Sequence, residues 1–414
     1  MIMYKRTIDD RWSFKTADTK EFTHCYHNYP AMMIPQVART LIKEYKPNDG
    51  VTLLFDPYMG SGTSLVEANI CGVNAIGTDL NPLARMMARV KTIHYDEKQI
   101  KDCFCFIQSE LILYNESLVE ERDFSRISNF SYWYNEKDLL KLSYLSQSIK
   151  HCGEYQDFFN VALSEVVREV SFTRNSEFKR YKMSESQLEK FSPNTFNLFE
   201  TKVLRNMDGL VKFNSIKYSG TSQIFDFNSV IGIPCDVIEN ETVDMVVTSP
   251  PYGDSHTTVA YGQFSRWSNE WFGFDEAKHL DAKLMGGTKY KEETFQTNSI
   301  RWELEQLHSL DPKRYREVAS FLSDYYQSIK NVAKCVRYGG VVCYVVGNRT
   351  VKTVQIPLDY FTVETFERFG FKHIDTIVRE IPNKRMPLKN SPTNERGKTV
   401  STINNEYIVI LQKE

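Results

Sequence analysis

The sequence predicts an α/β protein in which a doubly wound, mainly parallel sheet is split by a large helical insertion. Three observations carry that prediction. A short apolar run at 51–55 ends in a glycine-rich turn, followed by a helix, a second strand and an acid, Asp79, the order of half an α/β sheet. A second apolar run, Val243 to Thr248, has the unbroken hydrophobicity of a strand buried on both faces. Between them, residues 98–221 are polar and aromatic, with helical spacing and few strand signals.

The elements follow in order. Helical spacing spans 35–45, a strand 51–55, a helix 64–71, and a short strand 74–77 that closes on Thr78-Asp79. Within the polar middle, apolar residues recur at helical intervals over 139–149 and 158–170. The strand 243–248 ends in Ser249-Pro250-Pro251-Tyr252, and a helix-rich, aromatic stretch continues to about 336. A Gly339-Gly340 turn, a strand at 341–346, a helix near 363–369 and strands at 372–380 and 406–412 complete the chain. The last two strands, joined by a long polar loop, read as an antiparallel pair.

The 414 residues hold 51 Lys+Arg against 53 Asp+Glu, a formal net charge of −2, with 41% hydrophobic, 25% charged and 13% aromatic residues. That balance excludes a disordered, collagen-like or coiled-coil chain. It also excludes a protein basic all over, while leaving room for one basic face. No apolar run approaches the ~18 residues of a membrane span, so no membrane partner is expected. The N-terminus lacks the apolar core of a signal peptide, so the protein is expected in the cytoplasm. The eight cysteines, Cys25, Cys71, Cys103, Cys105, Cys152, Cys235, Cys335 and Cys343, form no CxxC pair. They are read as small buried apolar residues, with neither a metal nor a disulfide expected.

In Phe55-Asp56-Pro-Tyr-Met-Gly60-Ser-Gly62-Thr63 the glycines lie between strand and helix. They let a ligand approach the backbone, and the free N–H groups at the helix start favour an anionic group. Asp79 lies 17 residues beyond Gly62, where an acid binds ribose hydroxyls. The turn lacks the Lys-Ser/Thr of a P-loop and the third glycine of a dinucleotide fingerprint. A nucleoside with a small charged tail fits best, and S-adenosylmethionine is such a ligand. A tight turn with no ligand is the plain alternative.

Ser249-Pro250-Pro251-Tyr252 leaves a buried strand at its carboxyl end, where open α/β sheets bind ligands. Two prolines stiffen the turn and remove two N–H donors, leaving carbonyls as acceptors. The Ser249 oxygen and the Pro250 carbonyl can together accept both hydrogens of an –NH2 group, localising its nitrogen lone pair. Tyr252 offers a π face to a flipped-out base. A rigid turn after a core strand is the plain reading of the same residues.

Together these motifs resemble the cofactor and catalytic motifs of the amino-DNA methyltransferases, the S-adenosylmethionine-dependent N4-cytosine and N6-adenine enzymes. His27-Asn-Tyr29-Pro30-Ala-Met-Met resembles the family's additional cofactor motif, Gly77-Thr-Asp79-Leu-Asn-Pro its ribose-binding acid, and Val345-Val-Gly-Asn348 and Arg379-Glu-Ile-Pro its later elements. The resemblance covers 20–97, 222–265 and 336–414 and implies a Rossmann-like methyltransferase sheet. It implies that Asp56, Gly60, Gly62 and Thr63 hold the methionine portion, that Tyr29 and Pro30 close over it, and that Asp79 binds the ribose. Ser249, Pro250, Pro251 and Tyr252 would hold the target amine and base. Asp226 or Asn228 would contact the adenine, although the family's Gly-Asp pair is missing there. Serine in this motif is typical of the N4-cytosine enzymes. Cys235 follows Pro234 but precedes the catalytic strand, so C5-cytosine chemistry, which needs a thiolate, is not expected. The motif order, cofactor first, departs from that of many relatives and leaves the target-reading segment open.

The resemblance divides the chain into a cofactor-binding half (1–97), a helical insertion with a target-recognition role (98–221) and a catalytic half (222–414) with a helical excursion at about 256–336. Double-stranded DNA is the expected partner, with a cognate restriction endonuclease beside it, in a prokaryotic cytoplasm at the nucleoid. Phosphate contacts require clustered cations. Residues 171–183 hold four basic residues, Arg174, Lys179, Arg180 and Lys182, against one acid, and 371–400 hold seven against three, including Lys384, Arg385 and Lys389. His256 and Tyr261, just past the catalytic turn, are expected at the base pocket, and Tyr132 and Trp133 in the core. An N6-adenine enzyme, an RNA amine methyltransferase and a cofactor-binding recognition subunit without turnover remain alternatives.

Overall fold

The computed structural model describes all residues except 1–3, 48–51, 176–177, 218–219, 255–259, 288–294, 382–388, 391–399 and 402–404. Its centre is an eight-stranded sheet of β1 (Thr7–Ile8), β2 (Leu53–Asp56), β3 (Asn74–Thr78), β4 (Ser222–Phe225), β5 (Val243–Thr248), β6 (Val336–Gly347), β7 (Phe371–Glu380) and β8 (Asn405–Lys413). Across the sheet the order is β1-β7-β8-β6-β5-β2-β3-β4. Strands β4, β3, β2, β5 and β6 run parallel. β8 is antiparallel to both β6 and β7. The antiparallel pair expected at the C-terminus is therefore present, and its last strand is wedged against the parallel part.

The main helices are α1 (Pro35–Glu44), α2 (Thr63–Ile70), α3 (Pro82–Thr92), α4 (Glu97–Ile112), α5 (Glu136–Lys150), α6 (Gln156–Glu169), α7 (Thr195–Asn214), α8 (Tyr261–Trp271), α9 (Arg301–Leu310), α10 (Pro312–Cys335) and α11 (Leu358–Glu367). The period-2 pleat of β6 shows how they are layered. Val341, Cys343 and Val345 pack with Leu41 of α1 and Leu65 of α2, whereas Val342, Tyr344 and Val346 pack with Tyr325 of α10 and Phe361 of α11. Both faces are covered, as a parallel sheet requires.

A third core contains no strand residue. It joins α4, α5, α6 and α7 to Leu83, Met87 and Val90 of α3 and to Phe264, Trp267 and Trp271 of α8. The indole Nε1 of Trp267 donates to Thr173 Oγ1 at 2.9 Å, and Ser268 Oγ to the Ser164 carbonyl at 2.7 Å. The helix that follows the catalytic turn is thus built into the helical layer.

Several expectations are corrected. β4 was not anticipated, because four partly exposed residues at a sheet edge carry no apolar run. The Gly339-Gly340 turn lies inside one continuous strand. Gly339 takes φ +74° where the pairing with β5 skips from Val336 to Val341, so the glycines make a bulge instead of ending the strand. Cys105 and Cys235 are exposed, not buried. Tyr132 is 52% exposed and carries the Lys182 ammonium 3.5 Å above its ring, so it is no core residue.

Lys91, on α3, is fully buried, and its Nζ has no hydrogen-bond partner among the described residues. Burial pushes its pKa down to about 7. The unfolded chain keeps that proton up to the ordinary lysine range, whereas the folded protein gives it up above about pH 7. Between those limits the unfolded state binds more protons, so stability rises with pH. Lys91→Met should remove that slope and stabilise the protein near neutrality by on the order of a few kcal/mol. Melting curves from pH 7 to 10 check this.

Candidate active site

Parallel neighbours β5, β2 and β3 end on the same edge of the sheet. Their carboxyl ends therefore bring Ser249, Asp56 and Asp79 to one cavity. Of the residues expected at the site, Tyr29, Pro30, Asp56, Gly60, Thr63, Asp79, Ser249, Pro251 and Tyr261 line it. Asp56 accepts hydrogen bonds from Thr248 Oγ1 at 2.6 Å and the Tyr58 N–H at 3.1 Å. Asp79 accepts from the Gly60 N–H at 3.0 Å and the Asn81 N–H at 2.7 Å. Burial raises both carboxyls to about 6, against those hydrogen bonds.

Four expected residues stand elsewhere. Gly62 is not in the cavity wall; it starts α2 at φ +83°, and a Cβ there would meet Ala88 Cβ at 2.8 Å and its Cα at 2.9 Å. It sets how closely α2 packs on α3. Asp226 is exposed outside the cavity, and Asn228, two residues on, lines it. Pro250 is buried behind the wall. Tyr252 is also outside the lining, with its hydroxyl 3.2 Å from Ser249 Oγ and 3.0 Å from Glu406 Oε1. Tyr261, placed at the base pocket by the sequence, instead stacks on Tyr29 with centroids 5.9 Å apart.

Of the basic residues, Arg174 is exposed and Lys179 half-buried, in a turn whose limbs meet at the Thr173–Lys182 bridge. Arg180 lies half-buried with its guanidinium 4.7 Å from the Trp267 ring, and desolvation lowers its pKa. His256, Lys384 and Arg385 lie outside the described residues, and Lys389 begins a two-residue strand paired with Val400–Ser401.

Sequence reasoning assigned no role to Asn81, Glu406, Arg379 or the Asp254–Arg349 ion pair. Asn81 caps α3 by accepting from the Leu83 N–H, and its amide donates to Tyr29 Oη at 2.8 Å and Ser265 Oγ at 2.7 Å. The Asn-Pro pair was the available signal, since it marks a helix start. Arg349 Nη1 donates to Asp254 Oδ2 at 3.0 Å, with both side chains buried. No local pattern announces that pair, whose members are 95 positions apart.

A mainly parallel sheet in which β2 ends in a glycine turn, β3 is followed by an acid and β5, the other neighbour of β2, by Ser-Pro-Pro-Tyr defines an S-adenosylmethionine-dependent methyltransferase. The Type II methyltransferase M.MvaI of Kocuria varians is 38% identical over 428 residues, covering 96% of this chain and 93% of its own. The chain belongs to the Type II methyltransferase family. M.BsoBI of Geobacillus stearothermophilus, a further Type II methyltransferase, is 20% identical over 86% of this chain and 80% of its own. Among solved structures, the rRNA methyltransferase aviRa from Streptomyces viridochromogenes shares 10% identity over 93% of this chain and 88% of its own, with a TM-score of 0.34. No family model matches the chain. Among the described residues no helix is long and apolar enough to cross a membrane.

The cofactor is S-adenosylmethionine, and the cavity suits it. Two carboxyls, the buried Asp56 and the half-buried Asp79, face a ligand that carries sulfonium and ammonium charges, and the Ser61 hydroxyl is buried in the wall without a hydrogen-bond partner among the described residues.

Proposed function

We propose that the protein is a DNA methyltransferase of a restriction–modification system, acting on the exocyclic N4 amine of a flipped cytosine and working beside a cognate endonuclease. One observation carries the base assignment. A serine, with no acid or amide, stands at the end of β5 where the cavity reaches the Pro-Pro turn. In the resembling enzymes serine at this position accompanies cytosine.

When bound, the cofactor supplies an electrophilic methyl group on a sulfonium sulfur. Asp79 would hold the ribose hydroxyls and Asn228 the adenine. Tyr29 and Pro30 would close over the methionine portion beside Asp56, Gly60 and Thr63. Ser249 Oγ and the Pro250 carbonyl would accept the two amine hydrogens, concentrating the nitrogen lone pair on the incoming carbon. Bound there, the cofactor would supply the methyl group and leave as the neutral thioether, and the amine held at Ser249 and Pro250 would release its surplus proton to solvent after the transfer, so no strong base would be needed among these residues. Tyr252 would give the extrahelical base a face to stack on. Residues 98–221 would read the target, with Arg174 and Lys179 on the phosphate backbone.

Nucleoside digestion and mass spectrometry of duplex DNA treated with the protein and cofactor tests this assignment. N4-methylcytosine is the expected product. N6-methyladenine would overturn the choice of base, and modification confined to RNA would overturn the choice of polymer.

A further inference from the structure

We infer that Glu406 is a positioning residue that fixes the direction of the hydrogen bonds at Ser249, with Arg379 holding it in place. This rests on Ser249 being the acceptor of the target amine. Glu406 is the second residue of β8, opposite Arg379 of β7 and Gly347 of β6. Its Oε1 accepts the Tyr252 hydroxyl at 3.0 Å, and its Oε2 is paired with Arg379 Nη1. Arg379 is 2% exposed and donates through Nε to the Trp12 carbonyl at 2.9 Å. The N-terminal segment thereby anchors the far end of the chain.

The direction follows from proton counting. Tyrosine has one hydroxyl proton, and Tyr252 gives it to Glu406. The 3.2 Å contact between Tyr252 and Ser249 can then be filled only by the Ser249 proton. With that proton turned away, Ser249 Oγ keeps its lone pairs for an –NH2 group. If the chain ran the other way, Ser249 would point its proton at the amine's hydrogens. A carboxylate at its end forbids that, because it only accepts.

Glu406→Gln tests the idea sharply. Arg379 has donors alone, so it draws the glutamine oxygen and leaves the –NH2 facing Tyr252. Tyr252 must then accept, donate to Ser249 and reverse the chain. Tyr252→Phe keeps the ring but cuts the chain, leaving Ser249 free to rotate.

In duplex-DNA methylation, Glu406→Gln should lower kcat by about 100-fold and Tyr252→Phe by about 10-fold. The double variant should return to the Tyr252→Phe level, because the reversed chain no longer reaches Ser249. Cofactor Kd, measured by calorimetry without DNA, should stay within about threefold in all three. Wild-type kcat in Glu406→Gln, or multiplied losses in the double variant, would overturn the inference. A wild-type protein that methylates no DNA would instead overturn the proposed DNA-amine reading on which the inference rests.

Discussion

Tyr252→Ala is expected to lower kcat by about 10²–10³-fold while leaving the cofactor Kd within about threefold. Two losses combine. Base stacking on an aromatic ring is worth about 1–3 kcal/mol, and alanine also removes the hydroxyl that takes the Ser249 proton. The cofactor is spared because Tyr252 is absent from the cavity wall that holds Tyr29, Asp56 and Asp79. Steady-state kinetics with duplex DNA and calorimetric cofactor titration measure the two halves. A collapse of cofactor affinity with kcat preserved would reverse the division of roles.

Gly62→Ala should destabilise the whole protein, by about 2–5 kcal/mol. A left-handed φ of +83° costs an alanine about 1–2 kcal/mol. Overpacking a close contact adds about 1–3 kcal/mol, and here the obstruction includes the Ala88 Cα at 2.9 Å, which is backbone. Against a typical total of about 5–15 kcal/mol, that is a large share. The shift of α2 would also carry Gly60 and Thr63 out of register with Asp79 and weaken cofactor binding. Calorimetry should show a fall in Tm of several degrees, partly restored by Ala88→Gly. An unchanged Tm with cofactor affinity alone lost would return Gly62 to the cavity wall.

Much of this architecture was legible because its signals are local. The glycine turn after β2, Asp79 after β3 and the Pro-Pro turn after β5 each sit where a strand ends. Parallel pairing then gathers them without further information. The helices of the insertion announced themselves by apolar spacing, and α5 and α6 fall within a few residues of the expected limits. What escaped notice depends on contacts between distant residues. Gly62 belongs to the same motif as Gly60, and only the approach of Ala88 separates their surroundings. Tyr261, just past the catalytic turn, reads as a base-pocket residue until α8 is packed into the helical layer and its ring meets Tyr29. Glu406 is an ordinary acid at the head of a strand. Its contact with Tyr252 spans 154 positions and depends on β8 lying beside β6.

The claim at the centre is that the cavity at the ends of β2, β3 and β5 passes a methyl group from S-adenosylmethionine to an amine in DNA. Transfer of a tritiated methyl group to duplex DNA and, separately, to RNA tests it most directly, with Ser249→Ala run in parallel. The account predicts stable label in duplex DNA, little in RNA, and a loss of about 10²-fold or more in Ser249→Ala with cofactor binding intact. Label confined to RNA, or undiminished in Ser249→Ala, would contradict it.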